Sequence, residues 1–206
     1  PPLDARFRVL SPGRNLGFAA GTNLAFNHLP PDTPYLLMLN PDVLVEPDTI
    51  ERLVGILDEE PSLGAAICKL LLPSGEVDPA CRRSDPRLFS SFSKQSGLQR
   101  LFPRSRLFGR YNLTYLDANV PHEVDSGTGA CLLIRREAWL AAGGQLDERF
   151  FLYGEDLDLC RRIRQAGYRL LYRPDATATH IKGSGRIRDT RTTVHFYRAM
   201  WTYYRK

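Results

Sequence analysis

Arg149-Phe-Phe-Leu-Tyr-Gly154-Glu155-Asp156-Leu-Asp158-Leu-Cys160-Arg-Arg162 is the stretch that reads least like plain scaffold. Gly154 ends an aromatic-rich run, and a helix pattern starts at two adjacent carboxylates. Leu159, Cys160, Ile163 and Ala166 recur at helical spacing and define a core-facing stripe. Projected back one turn, that stripe takes in Asp156, where a carboxylate is costly without partners or a task. Asp158 instead lies one turn from Arg161 and Arg162, the position of surface pairs worth about a few tenths of a kcal/mol. Two readings follow for the leading acids. They cap the helix and complement its positive end, or one of them is a general base held at a helix start and facing a cleft.

Outward from this stretch, the flanks read as alternating strands and helices. Before it, Glu123-Val-Asp125 and Gly127-Thr-Gly129-Ala-Cys-Leu-Leu-Ile134 form a strand broken by a glycine bend, where small residues let another group approach the backbone. Arg135 to Ala142 is a short helix stopped by Gly143-Gly144. After it, Gly167 ends the helix, Tyr168 to Tyr172 is a strand, and Pro174-Asp175 turns the chain towards His180 and Gly183-Ser-Gly185. A lone histidine is more often structural than a ligand. Thr193 to Lys206 is an amphipathic helix with Phe196, Met200 and Tyr203 on one side, while Arg198, Arg205 and Lys206 face water or a membrane surface.

The earlier half supplies further candidates. Phe7 to Leu10 is a short strand, followed by a turn at Ser11-Pro-Gly-Arg14. Asn15-Leu-Gly17-Phe-Ala-Ala-Gly21-Thr-Asn23 then leads into a helix through about His28. Gly17 and Gly21 leave a bare backbone near a helix start, suited to an anion or a flat base, or simply to close packing. No GxxxxGK[ST] loop is present. Pro34 to Leu39 is a continuous apolar run, the signature of a central parallel strand, and it stops at Asn40-Pro41-Asp42. Ligands of open α/β sheets sit beyond such strand ends, and these oxygens suit a hard divalent ion; a proline turn steadied by its Asp is the plainer reading. Asp48 and Glu51 have capping-box spacing, with Ile50, Leu53, Val54 and Leu57 giving a helix face up to Pro61. Leu63 to Leu72 reads as a strand. Residues 78–122 lack periodicity and are expected to be a partly helical, mobile, basic excursion lying like a lid over one edge of the site.

At 206 residues and 43% hydrophobic content, the chain is expected to form a single domain with an ample core. No apolar run approaches the roughly 18 residues of a membrane span, and Pro1-Pro2-Leu3-Asp4 is not the start of a signal peptide. Cys68, Cys81, Cys131 and Cys160 form no CxxC pair, which suits a reducing compartment rather than a zinc or redox site. The net charge is +5, yet residues 82–111 hold eight Lys/Arg against the single acid Asp85. Basicity confined to one segment argues against a nucleic-acid-coating surface.

The set and order of motifs resemble family 2 glycosyltransferases, nearest to their rhamnosyltransferase-like branch. The residues that carry the resemblance are Asn15–Asn23, Leu39-Asn-Pro-Asp-Val43, Ser126-Gly-Thr-Gly-Ala-Cys-Leu-Leu-Ile-Arg-Arg-Glu-Ala-Trp139, Phe150–Arg162, and His180 before a Gly-Ser-Gly. Residues 78–122 lie outside it. The resemblance implies a GT-A-like α/β fold, with a mostly parallel sheet flanked by helices. The chain starts at what looks like the third strand of that fold, so the usual first βαβ unit, which holds the nucleobase, is expected to be missing from these residues.

It further implies an inverting transfer from a nucleotide-sugar such as dTDP-rhamnose to a glycan or lipid-linked glycan, dependent on Mg²⁺ or Mn²⁺. Asp42, last in the Asn40-Pro41-Asp42 counterpart of a DxD motif, would bind the metal with His180. Asp156 would take the proton from the acceptor hydroxyl and Glu155 would orient it. Asn15, Gly17, Gly21 and Asn40 would line the donor side, and Gly127, Thr128 and Gly129 the sugar and acceptor floor. A cytoplasmic location at the inner face of the membrane, with peripheral contact, goes with that picture. The competing expectation is a catalytically inactive remnant that binds a nucleotide, a glycan or a partner protein.

Overall fold

The computed structural model describes residues 7–181 and 190–206. In chain order it runs α1 (Gly17–Phe26), β1 (Tyr35–Leu39), β2 (Val43–Val45), α2 (Thr49–Glu59), β3 (Leu63–Leu71), α3 (Leu88–Gln95), α4 (Leu98–Leu101), β4 (His122–Glu123), β5 (Cys131–Arg135), α5 (Arg136–Ala141), α6 (Glu155–Gln165), β6 (Arg169–His180) and α7 (Thr190–Tyr204). The strands form one sheet in the order β1-β5-β3-β6-β2, with β4 also paired to β6.

The spine of this sheet is the parallel pair β3 and β6. Six of the nine β3 residues in succession, Leu63 to Cys68, are buried, as a strand covered on both faces requires. Leu53 and Leu57 of α2 and Leu159 and Ile163 of α6 belong to the same core and are themselves fully buried. The amphipathic faces read from spacing are therefore the faces that pack. The four cysteines are free and buried.

Several expectations change. The sheet is mixed rather than mostly parallel, because β1, β2 and β4 all pair antiparallel, as does β5 with both its neighbours. Tyr35–Leu39 is not the central strand; among the described residues it pairs with β5 alone, and its alternate residues Leu36 and Met38 are the buried ones. An apolar run marks burial but carries no information on strand direction, which the connections decide. Phe7–Leu10 is not a strand, and Phe7 and Val9 are exposed. Pro174 does not end its strand. The β6 ladder passes from Arg173, opposite Cys68, to Thr177, opposite Lys69, and the proline sits in the resulting bulge, where no ladder N–H is needed. Asp48 makes no capping bond; its carboxylate accepts from Arg52 Nε at 2.7 Å instead.

Residues 78–122 are anchored to the body at several points along their length. Arg82, Arg83, Ser84, Ser90, Ser93, Tyr111 and Asn112 are all buried, and the Arg83 N–H donates to the Ser126 carbonyl at 2.9 Å. The partly helical character holds, in α3 and α4.

Candidate active site

Strand pairing brings the first acidic cluster together. Val43 of β2 lies opposite His180, the last residue of β6, and the Ile181 N–H donates to the Asp42 carbonyl at 2.8 Å. At the other side of the same turn, the Asn40 N–H donates to the Ala130 carbonyl at 2.9 Å, just before β5. The Asn40-Pro41-Asp42 turn is thereby pinned between the ends of β5 and β6. His180 Nε2 lies 3.5 Å from Asp42 Oδ1, while Nδ1 lies 3.1 Å from Asp78 Oδ2. Asp78 is fully buried. The Asp78 carboxylate at Nδ1 orients the ring, so that Nε2 faces Asp42.

The second cluster is presented by a tight entry into α6. Tyr153 at φ +71° and Gly154 at φ +84° are successive left-handed residues. They turn the chain so that Glu155 and Asp156 open the helix. A left-handed tyrosine is strained, and such strain gathers at functional sites. Asp156 is buried as the stripe indicated, and its carboxylate is densely held. Oδ2 accepts from Arg83 Nη2 at 2.6 Å and from the Gly129 N–H at 3.2 Å, and Oδ1 accepts from the Leu157 N–H at 2.7 Å. Arg83 Nη2 also donates to the Gly127 carbonyl. Burial works against the Arg83 charge, but Asp156 beside it holds the guanidinium protonated above the ordinary arginine value.

Glu155 is the contrasting member of the pair. It is buried, and among the described residues its Oε2 has no hydrogen-bond partner. Burial, and then the neighbouring Asp156 charge, push its carboxyl up to about 8. Asp158 corrects the surface-pair reading: it is 2% exposed, bound by Arg162 Nε at 2.9 Å and Lys206 Nζ at 2.6 Å. Lys206, two residues past the end of α7, makes that second contact.

Both clusters open into one cavity of about 760 Å³. Its walls include Asn40, Asp42, His180, Glu155 and Asp156, and the segment Thr128–Ala130 joins the two clusters, through Ala130 to Asn40 and through Gly129 to Asp156. Arg83, Lys94 and Tyr111 come from residues 78–122, and Phe196, Tyr197 and Met200 from α7. Asn15, Gly17, Gly21 and Gly127 are not among the lining residues. The first-turn amides of α1 are already used: the Gly17 N–H by Asn15 Oδ1 at 2.9 Å, and the Phe18 N–H by the Phe151 carbonyl at 2.8 Å. Gly17 serves close packing, since a Cβ there would come within 2.5 Å of the Phe151 oxygen. Phe18 is the α1 residue that lines the cavity. Gly183-Ser-Gly185 lies outside the described residues.

Asp78 and Arg83 were missed from the sequence. Both fall in the aperiodic segment, and the only cue was a pair of adjacent arginines in a basic run. No group of three or more His, Cys, Asp or Glu side chains that could hold a metal occurs among the described residues. Asp42 with His180 Nε2 nevertheless fits an ion that keeps open positions for water and substrate phosphate oxygens.

A profile described as "Glycosyltransferase like family 2" matches residues 2–199. The N-acetylglucosaminyl-diphospho-decaprenol L-rhamnosyltransferase of Mycobacterium tuberculosis is 32% identical over 193 residues, covering 88% of this chain and 61% of that protein. Rhamnosyltransferase WbbL of Escherichia coli is 26% identical over 177 residues, 80% of this chain and 60% of its own length. The chain thus spans about three-fifths of each relative's length. Among solved structures, GalNAc-T7 with UDP, GalNAc and Mn²⁺ superposes with a TM-score of 0.58 at 14% identity, over 87% of this chain and 34% of that one. That likeness supports a GT-A-like fold.

Proposed function

Since the chain belongs to glycosyltransferase family 2, we propose that it carries the transfer site of an inverting, metal-dependent glycosyltransferase. The donor is a nucleotide-sugar, with dTDP-rhamnose the first to test given the rhamnosyltransferase relatives. The acceptor is a glycan or lipid-linked glycan hydroxyl. One observation carries this reading: the Asp42–His180 pair and the Glu155–Asp156 pair line one cavity of a size to hold a sugar and a diphosphate together.

In this reading Asp42 and His180 Nε2 would hold Mg²⁺ or Mn²⁺, and Asp78 at Nδ1 keeps the imidazole ring aimed. When bound, the ion supplies neutralisation of the charge that grows on the leaving diphosphate. Asn40, Thr128 and Gly129 contact the donor sugar from the floor. Asp156 accepts the acceptor hydroxyl proton, and the Arg83 and Gly129 donors hold its carboxylate in place before the acceptor arrives. Tyr111 and α7 close the walls and exclude water. With one displacement and one base, the transferred sugar inverts at its anomeric carbon.

A second assignment is favoured by the unpartnered Glu155 Oε2. Burial raises the Glu155 carboxyl to about 8, close to working pH; in its ionised form Glu155 would take the proton and Asp156 would anchor Arg83. Transfer assays separate the two. Asp42→Ala should abolish dependence on Mn²⁺. Asp156→Asn should abolish transfer while leaving metal-dependent binding of dTDP; an active Asp156→Asn enzyme whose Glu155→Gln counterpart is inactive moves the base to Glu155. Full activity in all three variants overturns the proposal. The inactive-remnant reading predicts dTDP binding with no turnover in the full-length protein.

A further inference from the structure

The face formed by α3, the segment after it and α7 combines two properties rarely found together on a solvated surface. Leu88, Phe92, Leu101, Leu107 and Trp201 are large apolar side chains between 56% and 75% exposed. Between them in sequence stand Arg87, Arg100, Arg104, Arg106 and Arg110, all exposed and none in an ion pair among the described residues. The lone acid of residues 82–111, Asp85, is taken by Arg164 Nη2 at 2.5 Å, so it does not offset these five arginines.

Contacts join these pieces into one surface. The rings of Phe89 and Phe102 each pack on Phe108, with centroids 6.1 and 5.4 Å away. The Ser91 hydroxyl lies 2.7 Å from that of Tyr204, tying α3 to α7. Just past α7, Arg205 sits over the exposed Trp201 ring at 5.3 Å. The buried side of α3, Ser90 and Ser93, faces the body of the protein. Lys94 of α3 and Thr193, Phe196 and Met200 of α7 line the cavity, so this face adjoins its mouth.

We propose that this face docks on an anionic lipid bilayer, with its apolar side chains at the headgroup boundary and its arginines on lipid phosphates. Interleaved arginine and large apolar residues around an aromatic cluster have the chemistry of an interfacial surface. A second copy of the chain fits poorly, because two such strongly basic segments would face each other. No helix among the described residues is long and apolar enough to cross a membrane; the contact proposed is one made by this face. Docking deepens the reading of a lipid-linked acceptor by bringing the cavity mouth to the surface from which such an acceptor would project.

The test is sedimentation with vesicles of phosphatidylcholine alone, or of phosphatidylcholine and phosphatidylglycerol in roughly equal parts. The protein should sediment with the anionic vesicles and be released by high salt. Replacing Arg100, Arg104 and Arg106 by Glu, or Leu88, Phe92 and Trp201 by Ser, should each lower partition by about tenfold or more. Circular dichroism and calorimetric binding of dTDP with Mn²⁺, unchanged in both variants, show that the fold and the cavity are intact. Equal sedimentation with both vesicle types, none with either, or variants that partition like the parent overturn the proposal. So does a dimer of the parent on gel filtration that the apolar variant loses, which assigns the face to a second copy. Loss of dTDP binding in the parent with vesicle partition intact would instead count against the glycosyltransferase reading alone.

Discussion

Glu155 and Asp156 are adjacent, equally buried and chemically alike, yet their surroundings drive them apart. Asp156 has a guanidinium and two backbone amides; Glu155 has an oxygen with no partner and a charge next door. The consequence for stability has a definite sign. Between its ordinary value of 4.5 and its folded value of about 8, Glu155 keeps a proton that the unfolded chain has released. Stability therefore falls as pH rises through that window, and the penalty is complete above it. Glu155→Gln should match the parent near pH 4 and be about 1–3 kcal/mol more stable near pH 9 in urea unfolding; parallel pH curves would refute the assignment. At this scale the sequence was only half legible. Asp156 could be placed on the buried stripe from spacing alone. Its partner Arg83 is 73 residues away, and the Asp78 that holds His180 is 102 residues from it. No local pattern encodes contacts of that separation.

Elements with strong periodicity were legible: α2, α5 and α6 lie within a residue or two of where apolar spacing and glycine stops put them. What spacing did not encode was strand direction, the survival of β6 through Pro174, and the anchoring of residues 78–122. Each depends on a partner strand or a remote side chain. α1 offers a direct comparison of two glycines read alike from the sequence. Gly17 has φ +78° and no room for a Cβ, whereas Gly21 has nothing within 4 Å of where a Cβ would stand. Gly17→Ala should cost about 1–3 kcal/mol and loosen α1 from the Phe151 loop. Gly21→Ala, inside the helix, should instead stabilise by about 0.5–1 kcal/mol. Thermal unfolding of the two variants checks both signs.

For the molecule as a whole, the cavity is a meeting point of chain segments that otherwise have little in common. The turn after β1, the bend before β5, the start of α6, residues 80–111 and α7 each supply one wall. Filling it should therefore be felt far from the ligand's own contacts. dTDP with Mn²⁺ is expected to slow amide exchange across both α3 and α7, while dTDP in the presence of a chelator leaves α7 unprotected; uniform protection confined to Asn40–Val43 would contradict this coupling. The position of Arg83 also bears on how this protein could be re-engineered. It stands near the start of residues 78–122, which the motif resemblance left out but the family profile spans, and its guanidinium is clasped between the Gly127 carbonyl and Asp156. A chimera that exchanges that segment wholesale would pull out the clasp and strand an acid in the interior. Splicing after Ser84 instead leaves Arg83 with its host, and the exchanged portion must then match the body at Ser90, Ser93, Tyr111 and Asn112, its buried polar and aromatic contacts.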